Sequence, residues 1–346
     1  MKNYIILGFG EWKGIWTNPQ WMAHELANQN NNVLYINPPA YRDLKISDIA
    51  RLFQRFKKSD KKNIRIKSHL GQKFFPKELN NQITKRIIRN FPKPYKVICF
   101  QPLWLDFMEL DFERDVIFFT DDYTQVHKNE NRITELNNFI KKKFKKVIVT
   151  HKNLLNDFPE AIVENNCIPS FINLQKLQKF RKKDQVCFIG TISDMKVDVK
   201  KLQSFILNNS NKKFVFCGPI KNNKFLSFVE TQKNVEYKGL LSFENAFKIS
   251  QESKYGLMPF RKNEYTDSMF SMKFFEYILA NCIVLSTKIK MFDGLDKNFK
   301  INFIDLDETI LGDLNYTKND NSIRNKIINE YSYASRIKRL RLKGYL

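Results

Sequence analysis

Lys273 and Glu276 carry the most specific chemistry in this sequence, because they stand three residues apart where a strand gives way to a predicted helix. The segment is Tyr255–Ser286, YGLMPFRKNEYTDSMFSMKFFEYILANCIVLS. It reads as a strand ending in Met258-Pro259-Phe260, a polar loop carrying Arg261, and a helix beginning near Ser271 and Met272. Residues at i and i+3 share a helix face. A helix N-terminus after a strand offers free N–H groups and the positive end of the dipole, which suits an anion. Lys273 there is placed to meet a diphosphate, and Glu276, one turn on, to accept hydrogen bonds from ribose hydroxyls. On an exposed helix the same spacing is only a surface pair, so the weight rests on the flanking strand and loop.

The elements that must position these residues recur in two series. Tyr4–Gly8, Val33–Asn37, Val97–Phe100, Val116–Thr120 and Val147–Thr150 are apolar throughout, as buried parallel strands are. Helical stretches at Gln20–Asn30 and Asn131–Lys145 alternate with them, the pattern of a doubly wound α/β domain. After a polar, basic connector the pattern repeats, with strands at Val186–Gly190, Phe214–Gly218, Val235–Tyr237, Tyr255–Met258 and Cys282–Ser286. The expected division is residues 1–168, residues 169–325 and a basic helix over 326–346 that packs back on the first domain. Glycines mark the strand ends. Gly190-Thr191 is expected beneath the diphosphate, where a missing side chain lets backbone N–H groups approach, and Lys238-Gly239 beside the base. Gly8 and Gly10, with Trp12, Gly14 and Trp16, form a loop after the first strand. It is not the dinucleotide fingerprint, because the third glycine is misplaced and Asn18-Pro19 interrupt the expected helix.

The run SMKFFEYILANCIVLS resembles the donor-site motif of GT-B glycosyltransferases, matching at Ser271, Lys273, Glu276, Tyr277 and Ala280. VCFIGTISDMKVDV, KFVFCGPI, NVEYKGLLSFENAFKIS and KYGLMPF are similar to the family's other blocks in order and spacing, and the N-terminal half resembles the same group. Bacterial enzymes of exopolysaccharide, capsule or teichuronic acid assembly are the nearest in kind. The resemblance implies an α/β chain of two Rossmann-like, doubly wound domains facing a cleft, acting as a hexosyltransferase-type enzyme with a nucleotide-sugar donor, UDP by default. The implied acceptor is a glycan or lipid-linked glycan. Two departures stand out: Asn281 and Cys282 replace the family's Gly and Pro, and Ser268 stands where retaining members carry a first glutamate. Asn still suits a left-handed cap. With Ser268 there, Asp267 or a backbone group would serve the donor sugar, or the enzyme inverts.

Inversion needs a general base for the acceptor hydroxyl. Asp121 and Asp122 directly follow the buried strand VIFFT, at the end where ligands collect in open α/β sheets. A turn or helix cap is the alternative use of the pair. His24, His127 and His151 are further candidates without a partner at metal-ligand spacing. The aspartates form no D-x-D, so no essential metal is expected. Lys273, Arg261 and helix N-termini would balance the leaving diphosphate.

A formal net charge of +23 over 346 residues favours polyanions: nucleic acid, an anionic membrane surface or phosphorylated small molecules. No zinc spacing, RNP motif or helix-turn-helix signature supports nucleic acid. The stretch from Ile46 to Lys58 sets Ile46, Ile49, Leu52, Phe53 and Phe56 on one stripe edged by Arg51, Arg55, Lys57 and Lys58, and Asn80–Phe91 repeats the idea. Such faces suit an interfacial helix, and equally an ordinary core-facing one. No run reaches the ~20 apolar residues of a spanning helix and no cleavable leader is seen, so the expected location is cytoplasmic, peripheral on the inner face of a bacterial plasma membrane. Five scattered cysteines read as buried thiols. A nucleic-acid-binding protein and a catalytically inactive sugar-nucleotide scaffold remain the rival readings.

Overall fold

The computed structural model describes residues 1–39, 63–71, 75–108, 116–120, 130–172, 180–293, 295, 299–312 and 320–346. Asp121, Asp122, His127 and the Ile46–Phe56 stripe lie outside them. The chain divides into two units, Met1–Pro169 with Tyr333–Leu346, and Ser170–Ser332. Both are α/β, as expected from the alternation of apolar strands and helices.

The first unit is built on seven parallel strands in the order β3-β2-β1-β4-β5-β6-β7. They are β1 Asn3–Leu7, β2 Asn32–Asn37, β3 Ile64–Ser68, β4 Tyr95–Cys99, β5 Val116–Thr120, β6 Val147–Val149 and β7 Ile162–Val163. The inner strands are buried on both faces, which is why they read as unbroken apolar runs. Edge strand β3 exposes Arg65 and Lys67, so the apolar signature is lost there. Strand order reverses between β1 and β4.

Helix α1 (Asn18–Asn28) begins with Asn18-Pro19, the pair expected to interrupt it. Proline is tolerated in a first turn because its missing N–H has no helical partner there, and the Gln20 side chain accepts from the Thr17 N–H at 3.1 Å. Helix α2 (Lys77–Ile88) turns Asn80, Asn81 and Thr84 inward, while Ile87 and Ile88 pack on the core. That part of its apolar side is therefore used by the core, while Leu79 is exposed. Helix α3 (Glu130–Lys143) precedes β6.

In the second unit six parallel strands run β10-β9-β8-β11-β12-β13. They are β8 Lys183–Ile189, β9 Lys213–Cys217, β10 Val235–Tyr237, β11 Ser253–Met258, β12 Ile283–Ser286 and β13 Asn302–Phe303. Helices α4 (Val199–Asn208), α5 (Asn223–Thr231) and α6 (Phe243–Glu252) each start on a side-chain cap, from Asp198, Asn222 and Ser242. Short α7 (Glu264–Ser268) and α8 (Lys273–Leu279) follow β11. Strand order reverses between β8 and β11.

The basic tail forms two helices parted at Ser332: α9 (Asn321–Tyr331) in the second unit and α10 (Tyr333–Leu342) in the first. Arg339 of α10 grips the buried Glu164 carboxylate through Nε at 3.1 Å and Nη2 at 2.7 Å. Fully buried Arg336 donates to Asn18 Oδ1 at 2.6 Å and stacks over Phe119 at 4.9 Å.

Candidate functional site

Ligands in open α/β sheets settle outside the carboxyl ends of the strands where strand order reverses. In the second unit those ends are Ile189-Gly190-Thr191 after β8 and Met258-Pro259-Phe260 after β11. Gly190 has φ +154° and Gly218, after β9, has φ +118°, both in the region that favours glycine. A Cβ on Gly218 would come within 2.8 Å of the Gly190 carbonyl carbon, so the two backbones can lie together only without it. The Gly190 N–H donates to Cys217 O at 2.8 Å and the Gly218 N–H to Gly239 O at 2.7 Å, tying the ends of β8, β9 and β10 into one row. Among the described residues the Thr191 N–H and hydroxyl make no hydrogen bond, leaving both available to a ligand.

Helix α8 is joined to that row by Tyr277. Its ring lies flat on Gly256, where a Cβ would meet Tyr277 Cδ2 at 2.6 Å. Its hydroxyl accepts from the Ile189 N–H at 3.0 Å, which otherwise has no partner because β8 and β11 stop pairing at Cys187 and Gly256. The tyrosine therefore plugs the gap at the reversal point and sets the helix beside Gly190. Burial raises its phenol well above the usual range, so it stays a neutral O–H.

Lys273 and Glu276 sit on that helix. Lys273 Nζ is 2.6 Å from Glu276 Oε2, and the glutamate side chain is only 3% exposed, so this is no surface pair. Glu276 Oε1 is buried without a hydrogen-bond partner. A carboxylate oxygen left so costs about 1–3 kcal/mol, a penalty that a donor from outside the chain would relieve. Lys273 also lies 5.8 Å from the centre of the Phe243 ring, at the start of α6. Burial pushes Cys217, at the end of β9, up to about 12, with Lys238 and Lys273 both near enough to oppose the shift.

The remaining candidates stand differently. Lys238 is engaged by Glu236 on the edge strand β10. Arg261 donates its backbone N–H to Lys196 O at 2.7 Å and holds its guanidinium 3.7 Å from Asp198. Among the described residues no hydrogen bond or ion pair joins it to Lys273 or Glu276. The Ser271 N–H meets Met291 Sδ at 3.3 Å, and Met272 caps α8 without a side-chain bond. Asp267 is bound to Lys290, 3.2 Å from its ammonium. In the first unit, His151 Nδ1 accepts from the Asn153 N–H at 3.3 Å, and His24 packs on Trp16 and Trp21. No group of three His, Cys, Asp or Glu side chains at metal-binding range occurs among the described residues.

Sequence reasoning assigned no role to Tyr277 or Gly218. The signal for Gly218 was present in FVFCGP, a strand closed by Gly-Pro.

No family model matches the chain. Solved structures superpose over its whole length. Sucrose-phosphate synthase of Thermosynechococcus elongatus does so with a TM-score of 0.70 at 10% identity, covering 100% of this chain and 99% of that one. The avilamycin A glycosyltransferase AviGT4 gives 0.62 at 8% identity, covering 100% and 97%. TarM of S. aureus, in a complex that includes UDP, gives 0.62 at 12% identity, covering 100% of both chains. The fold is GT-B. In sequence, the GT-B chain is 26% identical over 125 residues to TuaH of Bacillus subtilis (strain 168), assigned as a teichuronic acid biosynthesis glycosyltransferase. That match takes in 36% of this chain and 31% of the relative, so the chain spans about a third of TuaH.

Proposed function

We propose that the chain is a glycosyltransferase that moves a sugar from a nucleotide-sugar donor onto a glycan or lipid-linked glycan, in bacterial cell-surface polysaccharide synthesis. The observation that carries this is Glu276, a buried carboxylate with one oxygen on Lys273 and the other unpartnered, on a helix docked against a glycine-lined strand end. A ribose hydroxyl satisfies such an oxygen and a diphosphate satisfies Lys273 and the Thr191 N–H. The GT-B fold and the sequence match to TuaH support the activity and its pathway class. UDP is the proposed carrier, in line with the UDP complex of TarM.

Hexosyl transfer without an essential metal follows as part of the same reading, with cationic groups balancing the leaving diphosphate. Asp121 or Asp122 remains the proposed base for the acceptor hydroxyl. Cytoplasmic placement, peripheral on an anionic inner membrane face, rests on the net charge of +23. No helix among the described residues is long and apolar enough to cross a membrane.

A thermal-shift screen with UDP, GDP, ADP, CMP and short oligonucleotides tests this. One nucleoside diphosphate should raise the melting temperature of the wild type but not of Glu276→Ala or Lys273→Ala. A response to oligonucleotides alone, weakening steeply with salt, would replace the reading with nucleic-acid binding.

A further inference from the structure

Helix α8 has seven residues, too few to hold its own position in water, so besides Tyr277 the groups that grip its ends set where Lys273 and Glu276 stand. Its C-terminal end is held by two cations. Lys182 Nζ donates to Ala280 O at 2.7 Å, and Arg324 Nη2 donates to Leu279 O at 2.7 Å. The Ala280 N–H in turn bonds Glu276 O at 2.9 Å, so Lys182 grips the helix one turn from the buried carboxylate. The same ammonium donates to Ser253 O at 2.7 Å and Ser250 O at 3.2 Å, at the end of α6. Helix α6 begins with Phe243, whose ring faces Lys273. One side chain thus clamps the carbonyl ends of the two helices whose first residues meet at the candidate site. A cation at the negative end of two helix dipoles is favourably placed for this. Each link of the clamp is a hydrogen bond from a charged group, stronger than one between neutral partners.

We infer that Lys182 is a positioning residue for nucleotide binding, fixing α8 so that Glu276 meets the ribose; this rests on the donor-site reading above. The test is a binding cycle by calorimetry, using whichever of UDP, GDP and ADP gives the largest thermal shift with the wild type. Lys182→Met should weaken binding about tenfold, and Lys182→Arg should restore it to within about threefold. In a Glu276→Gln background, Lys182→Met should add less than about twofold, because its effect passes through Glu276. A folded Lys182→Met that binds as the wild type does, or a loss that multiplies fully in the Glu276→Gln background, overturns the inference. Should the methionine variant not fold, Lys182→Gln runs the same cycle. A wild type that binds none of the three nucleotides overturns the donor-site reading itself.

Discussion

Tyr277 and Glu276 are neighbours on one short helix and do opposite jobs. The tyrosine hydroxyl closes a gap in the sheet, whereas the glutamate leaves an acceptor open. Tyr277→Phe should cost about 1–3 kcal/mol, since it strands the Ile189 N–H in the interior. Urea unfolding at neutral pH measures it, and an unchanged midpoint would show that the amide finds another partner. The Lys273–Glu276 pair was legible because three-residue spacing puts both on one face of any helix. Tyr277 was legible as a motif residue but its role in the sheet was not, because its partner lies 88 positions earlier in the chain.

At the scale of elements, α8 closes on Asn281 at φ +61°. The Cys282 N–H reaches Tyr277 O at 2.8 Å and the Asn281 N–H reaches Ile278 O at 3.0 Å, the paired bonds of a Schellman cap. The expectation that asparagine would preserve this turn holds, since it tolerates the left-handed region better than other residues with a Cβ. Asn281→Ala should therefore lower stability by about 1 kcal/mol and Asn281→Gly should raise it or leave it unchanged. Equal destabilisation by both would mean that the asparagine side chain, not the turn, matters.

His69 ties the end of β3 to α2 and to the turn that carries Trp104, and was not singled out from the sequence. It is fully buried, with Nδ1 accepting from the Gly71 N–H at 3.0 Å and Nε2 2.7 Å from Thr84 Oγ1 on α2. Trp104 and Phe107 flank its ring edge-on. Burial lowers its pKa from 6.5 to about 4, so the folded protein holds it neutral. Unfolding then takes up a proton between those values. Stability is complete above the unfolded pKa and falls as pH drops toward the folded one, by about 3 kcal/mol in all. Denaturant titrations from neutral to acid pH should show that loss, and His69→Gln should lack that part of it. An identical slope in the variant would assign the loss to other groups.

Over the whole molecule, 59 Lys and Arg stand against 36 Asp and Glu. That excess should bind phosphatidylglycerol vesicles at low ionic strength and release them at roughly half-molar salt, where screening reaches only a few ångströms. Binding that survives such salt would point instead to an inserted apolar surface. Of the two basic stripes that prompted the membrane reading, the one on α2 turns Ile87 and Ile88 to the core. A stripe looks the same in sequence whether it meets a core or a lipid.

The α/β class, the two series of strands, the glycines at their ends and the Lys–Glu spacing on α8 follow from residue order alone. Local pattern sets strand burial, turn geometry and helix faces, so these can be read without knowing the neighbours. Tertiary structure decided which strand ends lie at the reversal between β8 and β11, that Gly218 must yield space to Gly190, and that Glu276 is buried with one oxygen open. It also decided that Lys182, in a connector that reads as solvated, clamps α6 and α8. Those outcomes depend on contacts between residues far apart in the chain. The free energy of a buried charge or a close backbone approach exists only once those residues have met.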